Sequence, residues 1–282
     1  MQNKCNWKIS KNDKNVKLLS FLKEKLSLSN RDVKKILDKG LCYVNGKIER
    51  FSTVVLKEGS CVGIDLNWKK IASEKKSKII LDILYEDEYF LAVDKPVDFV
   101  CSDENINQFF MKHYTLIHRL DKDTTGVLLI AKNHNFKEEM IKLFKEKKVY
   151  KTYIARIDGS LKEDEMKIEG FLNKVSSIDG QTIYGHSSKG KYALTYLKVL
   201  KRYKDSTLVE LTPITGRTHQ LRVHMKHINH PILGDFLYSK KFVYEKYVPR
   251  LMLHCSKIEF IHPITSKDII IFSEIPSSFE KN

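Results

Sequence analysis

The segment "HRLDKDTTGVLLIAKN", His118 to Asn133, sets an aspartate, Asp121, just ahead of the apolar run Val127 to Ile130. A carboxylate at the edge of a strand can act as a nucleophile or as a base, and either chemistry needs it ionised and held in place. The same residue types also build ordinary turns, because Asp, Thr and Gly bond to their local backbone. Taken alone, the segment reads as the turn. A second segment, "TPITGRTHQLRVHMKHINHPILGD", Thr212 to Asp235, supplies what a working carboxylate requires. Gly216 breaks the preceding strand, and Thr218 is expected to cap a helix with Leu221, Met225 and Ile228 on one face and Arg222 and Lys226 on another. An arginine on a rigid helix suits the holding of a carboxylate by paired, charge-assisted bonds. His219, His224, His227 and His230 invite a metal reading, but spacings of five, three and three put no more than two on one face. No cysteine or acidic ligand completes the pattern, so no metal is expected.

These residues need a scaffold of strands. "IILDILYEDEYFLAVDKP" predicts two apolar strands flanking an acidic turn at Glu86 to Glu88. Further strand patterns fall at Gly126 to Ala131, Tyr150 to Ile157, Tyr192 to Leu200, Leu208 to Leu211 and Ile269 to Phe272, with helical spacing at Phe136, Met140 and Phe144. Strands mixed with helices over two hundred residues predict an α+β domain with a large, mainly antiparallel sheet.

The N-terminal part differs in composition and pattern. Residues 1–78 hold 19 lysines and arginines against 8 acids, whereas the rest holds 31 against 27, so most of the +15 formal charge sits at one end. A basic module beside a nearly balanced one points to a polyanion partner. Leu18, Leu19, Leu22 and Leu26 predict a first helix, and Val33, Ile36 and Leu37 a second, with Ser29 and Asp32 as its capping box and Gly40 as its stop. Arg31, Lys35 and Lys39 lie four apart and share a face opposite the apolar one, a cationic ridge suited to phosphates. "LCYVNGKIE" then predicts a hairpin turning at Asn45-Gly46. The expected division is a small α/β domain over residues 1–66, a basic linker over 67–78, and a large domain over 79–282.

The chain carries 42% hydrophobic residues and no stretch long enough to span a membrane, and Met1 to Ser10 does not read as a secretory signal. A cytoplasmic protein is expected. Its five cysteines are scattered without CxxC spacing, so reduced packing residues are expected.

Taken together, the motifs resemble the RluA family of RNA pseudouridine synthases. "HRLDKDTTG" is similar to that family's central motif, "AVDKP" to its first, and "TGRTHQLRVHM" with "HPILGD" to its third; "KTYIA" resembles the strand bearing the active-site tyrosine and "LHCSKIEFIHP" the closing strand. The resemblance spans about residues 79 to 276, in order. It implies the pseudouridine synthase fold and isomerisation of uridine, with Asp121 as the catalytic aspartate, Tyr153 against the target base, Arg222 paired with Asp121, and Arg119 filling the space left by the flipped uridine. No cofactor is implied. "SNRDVKKILDKGLCYVNGKIERFSTVVLKEG" resembles the alpha-L RNA-binding domain, which implies RNA contacts at Arg31, Lys35 and Lys39. One departure stands out: Asp98 replaces the glycine that follows the first motif, and the stretch before the central motif is shortened. The expected partner is RNA, ribosomal first and transfer RNA second, for a monomer away from membranes. The alternative is a non-catalytic RNA-binding assembly factor on the same fold.

Overall fold

The computed structural model describes residues 6–66, 68–69, 79–178, 181–239, 242–244, 248 and 250–280. Most of the expected linker, 67 and 70–78, lies outside them. The chain forms two compact units, one of residues 1–78 with 177–181 and one of 79–176 with 182–282.

In the first unit, β1 (Trp7–Lys8), α1 (Leu18–Leu26), α2 (Asn30–Asp38), β2 (Cys42–Val44), β3 (Lys47–Ile48) and β4 (Cys61–Ile64) follow one another. The strands pair in the order β1-β4-β2-β3. The Ser29 hydroxyl caps α2, accepting from the Asp32 amide at 3.2 Å and donating to its carboxylate at 2.6 Å. Gly40, at φ +67, ends the helix where a side chain would be strained. Asn45 and Gly46 both take positive φ, 52° and 77°, as a two-residue turn between β2 and β3 demands. Leu18, Phe21, Leu22, Val33, Ile36 and Leu37 are buried together against Cys42 and Val62. Each such side chain removed from water contributes roughly 2 kcal/mol. Cys61 is disulfide-bonded, a correction to the expectation of reduced cysteines, whereas Cys42, Cys101 and Cys255 are free. Cysteine spacing carries no information about which sulfurs the fold brings close.

From residue 79 the chain runs β5 (Asp82–Glu86), β6 (Phe90–Lys95), α3 (Asp103–Phe110), β7 (Thr115–Leu116), β8 (Thr125–Ala131), α4 (His134–Lys145), β9 (Tyr150–Asp158), β10 (Glu165–Ile178), β11 (Gln181–His186), β12 (Lys191–Arg202), β13 (Ser206–Pro213), α5 (Gln220–His227), β14 (Leu253–Ile261) and β15 (Asp268–Phe272). Its main sheet has the order β11-β10-β12-β13-β9-β14-β8-β6-β5, with β15 beside β14 and β7 beside β8. β14 runs parallel to β8, and the other described pairings are antiparallel. This is the α+β, mainly antiparallel architecture that the strand patterns predict.

Val127 to Ala131 of β8 are fully buried, which places this strand in the middle of the core. Gly126, its second residue, takes φ +107, and a Cβ there would lie 2.1 Å from the Cys255 carbonyl oxygen. Only glycine lets β8 approach β14 this closely. Two details depart from expectation. The shortened stretch after the first motif still contains a helix, α3, capped by Ser102, whose hydroxyl accepts from the Asn105 amide. Thr218 does not cap α5: His219 precedes it in the left-handed region at φ 57, and no side chain caps the helix. The Gln220 side chain instead takes the turn, accepting from the Arg217 amide at 3.0 Å and the Thr215 hydroxyl at 2.6 Å.

Candidate active site

Asp121 lies on the loop between β7 and β8, held in a turn by the Thr124 amide donating to its carbonyl at 3.1 Å. The threonines of that segment are buried and structural. The Thr125 hydroxyl accepts from Arg250 and meets His254 Nδ1, each at 2.9 Å. His118 Nε2 accepts from the Leu129 amide at 3.1 Å, which ties the loop to β8; burial lowers its pKa to about 3, so the ring stays neutral. Lys95, fully buried, donates to the Pro96 and Lys122 carbonyls at 2.9 Å each, and burial lowers its pKa to about 8. The loop is thus pinned on both sides of Asp121, whose own side chain remains 30% exposed.

The partner comes from α5, 101 residues further on. Arg222 Nη1 donates to Asp121 Oδ2 at 3.2 Å. The rest of the guanidinium belongs to Asp235, which accepts from Nε and Nη2 at 2.8 Å each and is 1% exposed. The Tyr238 ring covers the guanidinium at 5.0 Å. Burial opposes the Arg222 charge, but the Asp235 carboxylate and its hydrogen bonds outweigh it and raise the pKa above its ordinary value. Arg222 is therefore a permanent cation, oriented by Asp235 and pointing its third nitrogen, Nη1, at Asp121.

Tyr153 stands on β9, opposite Leu211 of β13 and Cys255 of β14. It is buried, and burial followed by the nearby Cys255 pushes its hydroxyl pKa well above the usual value, so it is a neutral phenol. Asp121, Tyr153, Arg222 and Arg119 all line one cleft of about 480 Å³, together with Lys151, Leu253 and the turn at Gly216. Arg119 is exposed at its margin. Three of the expected site residues therefore converge, with Arg119 beside them. Arg31, Lys35 and Lys39 belong to the other unit: Arg31 is exposed, Lys35 pairs with Asp32 at 3.1 Å, and Lys39 caps α2.

Sequence reasoning assigned no role to Asp235, Tyr238 or His219. His219 Nδ1 lies 2.8 Å from the Tyr238 hydroxyl and its Nε2 3.8 Å from Asp121 Oδ2; burial lowers its pKa, with Asp121 opposing. Asp235 follows Gly234 in "HPILGD", and that motif was the available signal. Asp98 has φ +66, a bend that Asp tolerates in place of glycine, and it pairs with Lys122 at 3.2 Å. Among the described residues, no group of three or more His, Cys, Asp or Glu is arranged to hold a metal.

A paired aspartate beside a buried tyrosine, in a cleft of a mixed sheet, defines a site for acid-base or covalent work on a flat ligand. The RNA pseudouridylate synthase family model matches residues 89–227. Ribosomal large subunit pseudouridine synthase C of Buchnera aphidicola subsp. Baizongia pistaciae is 37% identical over 230 residues, 75% of this chain and 73% of that one. An uncharacterized RNA pseudouridine synthase of Mycoplasma pneumoniae is 32% identical over 286 residues, covering 93% of this chain and 90% of its own. The solved structure of human RNA Pseudouridylate Synthase Domain Containing 1 superposes with a TM-score of 0.61 at 30% identity, covering 72% and 86% of the two chains. The chain belongs to the RNA pseudouridine synthase family, of the RluA type, and is an isomerase that acts on RNA.

Proposed function

We propose that this protein converts specific uridines of large-subunit ribosomal RNA to pseudouridine, in the cytoplasm and as a monomer. The observation that carries the reading is the ion pair between Asp121 and Arg222 in a cleft walled by Tyr153. The similarity to ribosomal large subunit synthases of Buchnera supports ribosomal over transfer RNA.

The reaction breaks the bond between the sugar and N1 of uracil, turns the base and rejoins it through C5, with no redox change. Asp121 either attacks the sugar carbon or removes a sugar proton, and both routes need the carboxylate charged and aimed. Arg222 supplies that aim, because Asp235 fixes the guanidinium through Nε and Nη2 and leaves Nη1 to donate to Asp121. Tyr153 offers a flat face to a base that has left its stack. Arg119, exposed at the margin, fills the space that base vacates. The first unit acts as an alpha-L RNA-binding domain over residues 1–66. Its two helices, the second capped by Ser29, its Asn-Gly hairpin and its positive charge support that role.

Mapping pseudouridines in RNA from a deletion strain complemented with wild type or with Asp121→Asn tests the assignment. Wild type restores the missing sites and the variant restores none. A variant that restores every site would remove Asp121 from the chemistry, and missing sites confined to transfer RNA would move the substrate there.

A further inference from the structure

The cations of the cleft are mostly committed. Arg222 is bound to Asp235 and Asp121, Lys122 pairs with Asp98, and Arg217 Nε donates to the Tyr192 carbonyl at 2.8 Å. Arg119 sits at the exposed margin. Lys151 differs from these. It lines the cleft from β9, half-buried, and its ammonium has no hydrogen bond or ion pair among the described residues. Residues two apart on a strand project to the same side, so Lys151 stands beside Tyr153 on the wall that faces Asp121. Its Nζ lies 5.4 Å from the Phe144 ring centre and 3.7 Å from where a Cβ on Gly216 would be, so the ammonium spans the space between β9 and the turn before α5.

An ammonium drawn out of water without a carboxylate partner is costly. Burial lowers the Lys151 pKa, the Cys255 thiol beside it is held neutral by burial and supplies no counter-charge, and no carboxylate pairs with the ammonium among the described residues. A ligand that acquires negative charge inside the cleft would relieve that cost.

The isomerisation produces such a ligand. When the C1′–N1 bond breaks, its electron pair stays on uracil and spreads from N1 to the ring oxygens. The same pair then forms the C1′–C5 bond, C5 loses its proton to solvent, and N1 takes one up. Both routes open to Asp121 pass through this anionic base. We propose that Lys151 is a further catalytic residue, whose ammonium donates to an oxygen of the detached uracil and holds the anion while the base turns above Tyr153. The role rests on the pseudouridine synthase reading. Lys151 keeps its proton throughout, so the balance of the reaction is unchanged. Donors aimed at charge that develops during reaction contribute about 100- to 1,000-fold in rate.

The test uses the full-length protein and RNA carrying tritium at uridine C5, which is released on isomerisation. Lys151→Met is expected to lower the single-turnover rate by about 100-fold or more while leaving RNA affinity within a few-fold. Lys151→Arg is expected to retain part of the rate and to lose the high-pH fall of the wild-type profile, because guanidinium does not deprotonate there. Wild-type protein that releases no tritium from any uridine-labelled RNA overturns the functional reading and this role with it. Active wild type with an equally active Lys151→Met variant overturns the role alone. So does a slow Lys151→Met variant accompanied by a Lys151→Arg variant with the wild-type high-pH fall, since that pattern belongs to a structural lysine.

Discussion

Replacing Asp235 by asparagine leaves the shape of the site nearly intact and removes the charge that fixes Arg222. The wild-type carboxylate accepts two bonds of 2.8 Å, each charge-assisted, from a side chain only 9% exposed. Such bonds contribute about 1.5–3 kcal/mol apiece, and stripping a buried ion of its partner costs about 3–5 kcal/mol. Asparagine keeps one acceptor oxygen, and Asp121 remains as a partial substitute, so a loss of about 2–3 kcal/mol is expected, against roughly 5 for alanine. The bond from Arg222 to Asp121 is 3.2 Å, longer than the 2.8 Å bonds, so Asp235 sets the guanidinium position. Freed from it, the guanidinium moves toward Asp121 and takes the carboxylate with it. A displacement near an ångström lowers an aligned reaction by about 100-fold. Urea unfolding reads the stability, with a lower midpoint and unchanged slope, and single-turnover tritium release reads the rate. An Asp235→Asn variant that reacts at the wild-type rate would refute the idea that this fork aims Asp121.

Two further outcomes follow from groups outside that fork. His224 is fully buried and its pKa is lowered to about 4 by burial and by the neighbouring His186 and His227, so the unfolded chain binds the extra proton between the unfolded value near 6.5 and about 4. Its contribution is complete above that window and fades as pH falls through it, a loss of up to roughly 3 kcal/mol; urea midpoints at pH 7 and 4.5 should differ less in His224→Gln than in wild type. On α2, the double change Arg31→Glu and Lys39→Glu is expected to weaken RNA binding and to reduce the slope of log affinity against log salt by about 1–2 or more. Filter binding at several salt concentrations checks this, and an unchanged slope would remove the helix from the RNA interface.

Asp121 and Arg222 were legible because each sits in a dense run of polar and glycine residues that ends against an apolar element. Asp235 was harder to see, since an aspartate after glycine looks like any loop terminus until the fold carries it under α5. The cap of α5 was misread for a similar reason. Thr218 has the right type, but the Gln220 side chain reaches back to Arg217 and Thr215 and satisfies the turn first. The 14-residue β10 left little trace, because "EMKIEGFLNKVSSI" alternates weakly and much of it is exposed. Its regularity comes from pairing with β12, from Glu165↔Lys198 through Leu172↔Lys191, which is a property of two segments together. The Cys61 disulfide is likewise a matter of spatial proximity that composition does not carry.

The position of β14 bears on how this enzyme is made. β8 and β9 are neighbours in sequence, separated only by α4, yet β14 lies between them, parallel to one and antiparallel to the other. The strands before α4 and those after it are thus two half-sheets that only a segment far downstream in the sequence joins. Until residues 253–261 arrive, the edge of β9 and the start of β8 at Thr125 and Gly126 lack the pairing that β14 supplies, and such open backbone invites pairing with other chains. A message truncated before codon 253 would therefore yield a product prone to aggregate as well as inactive, because the catalytic cleft is completed only once residues 253–261 have joined the two halves.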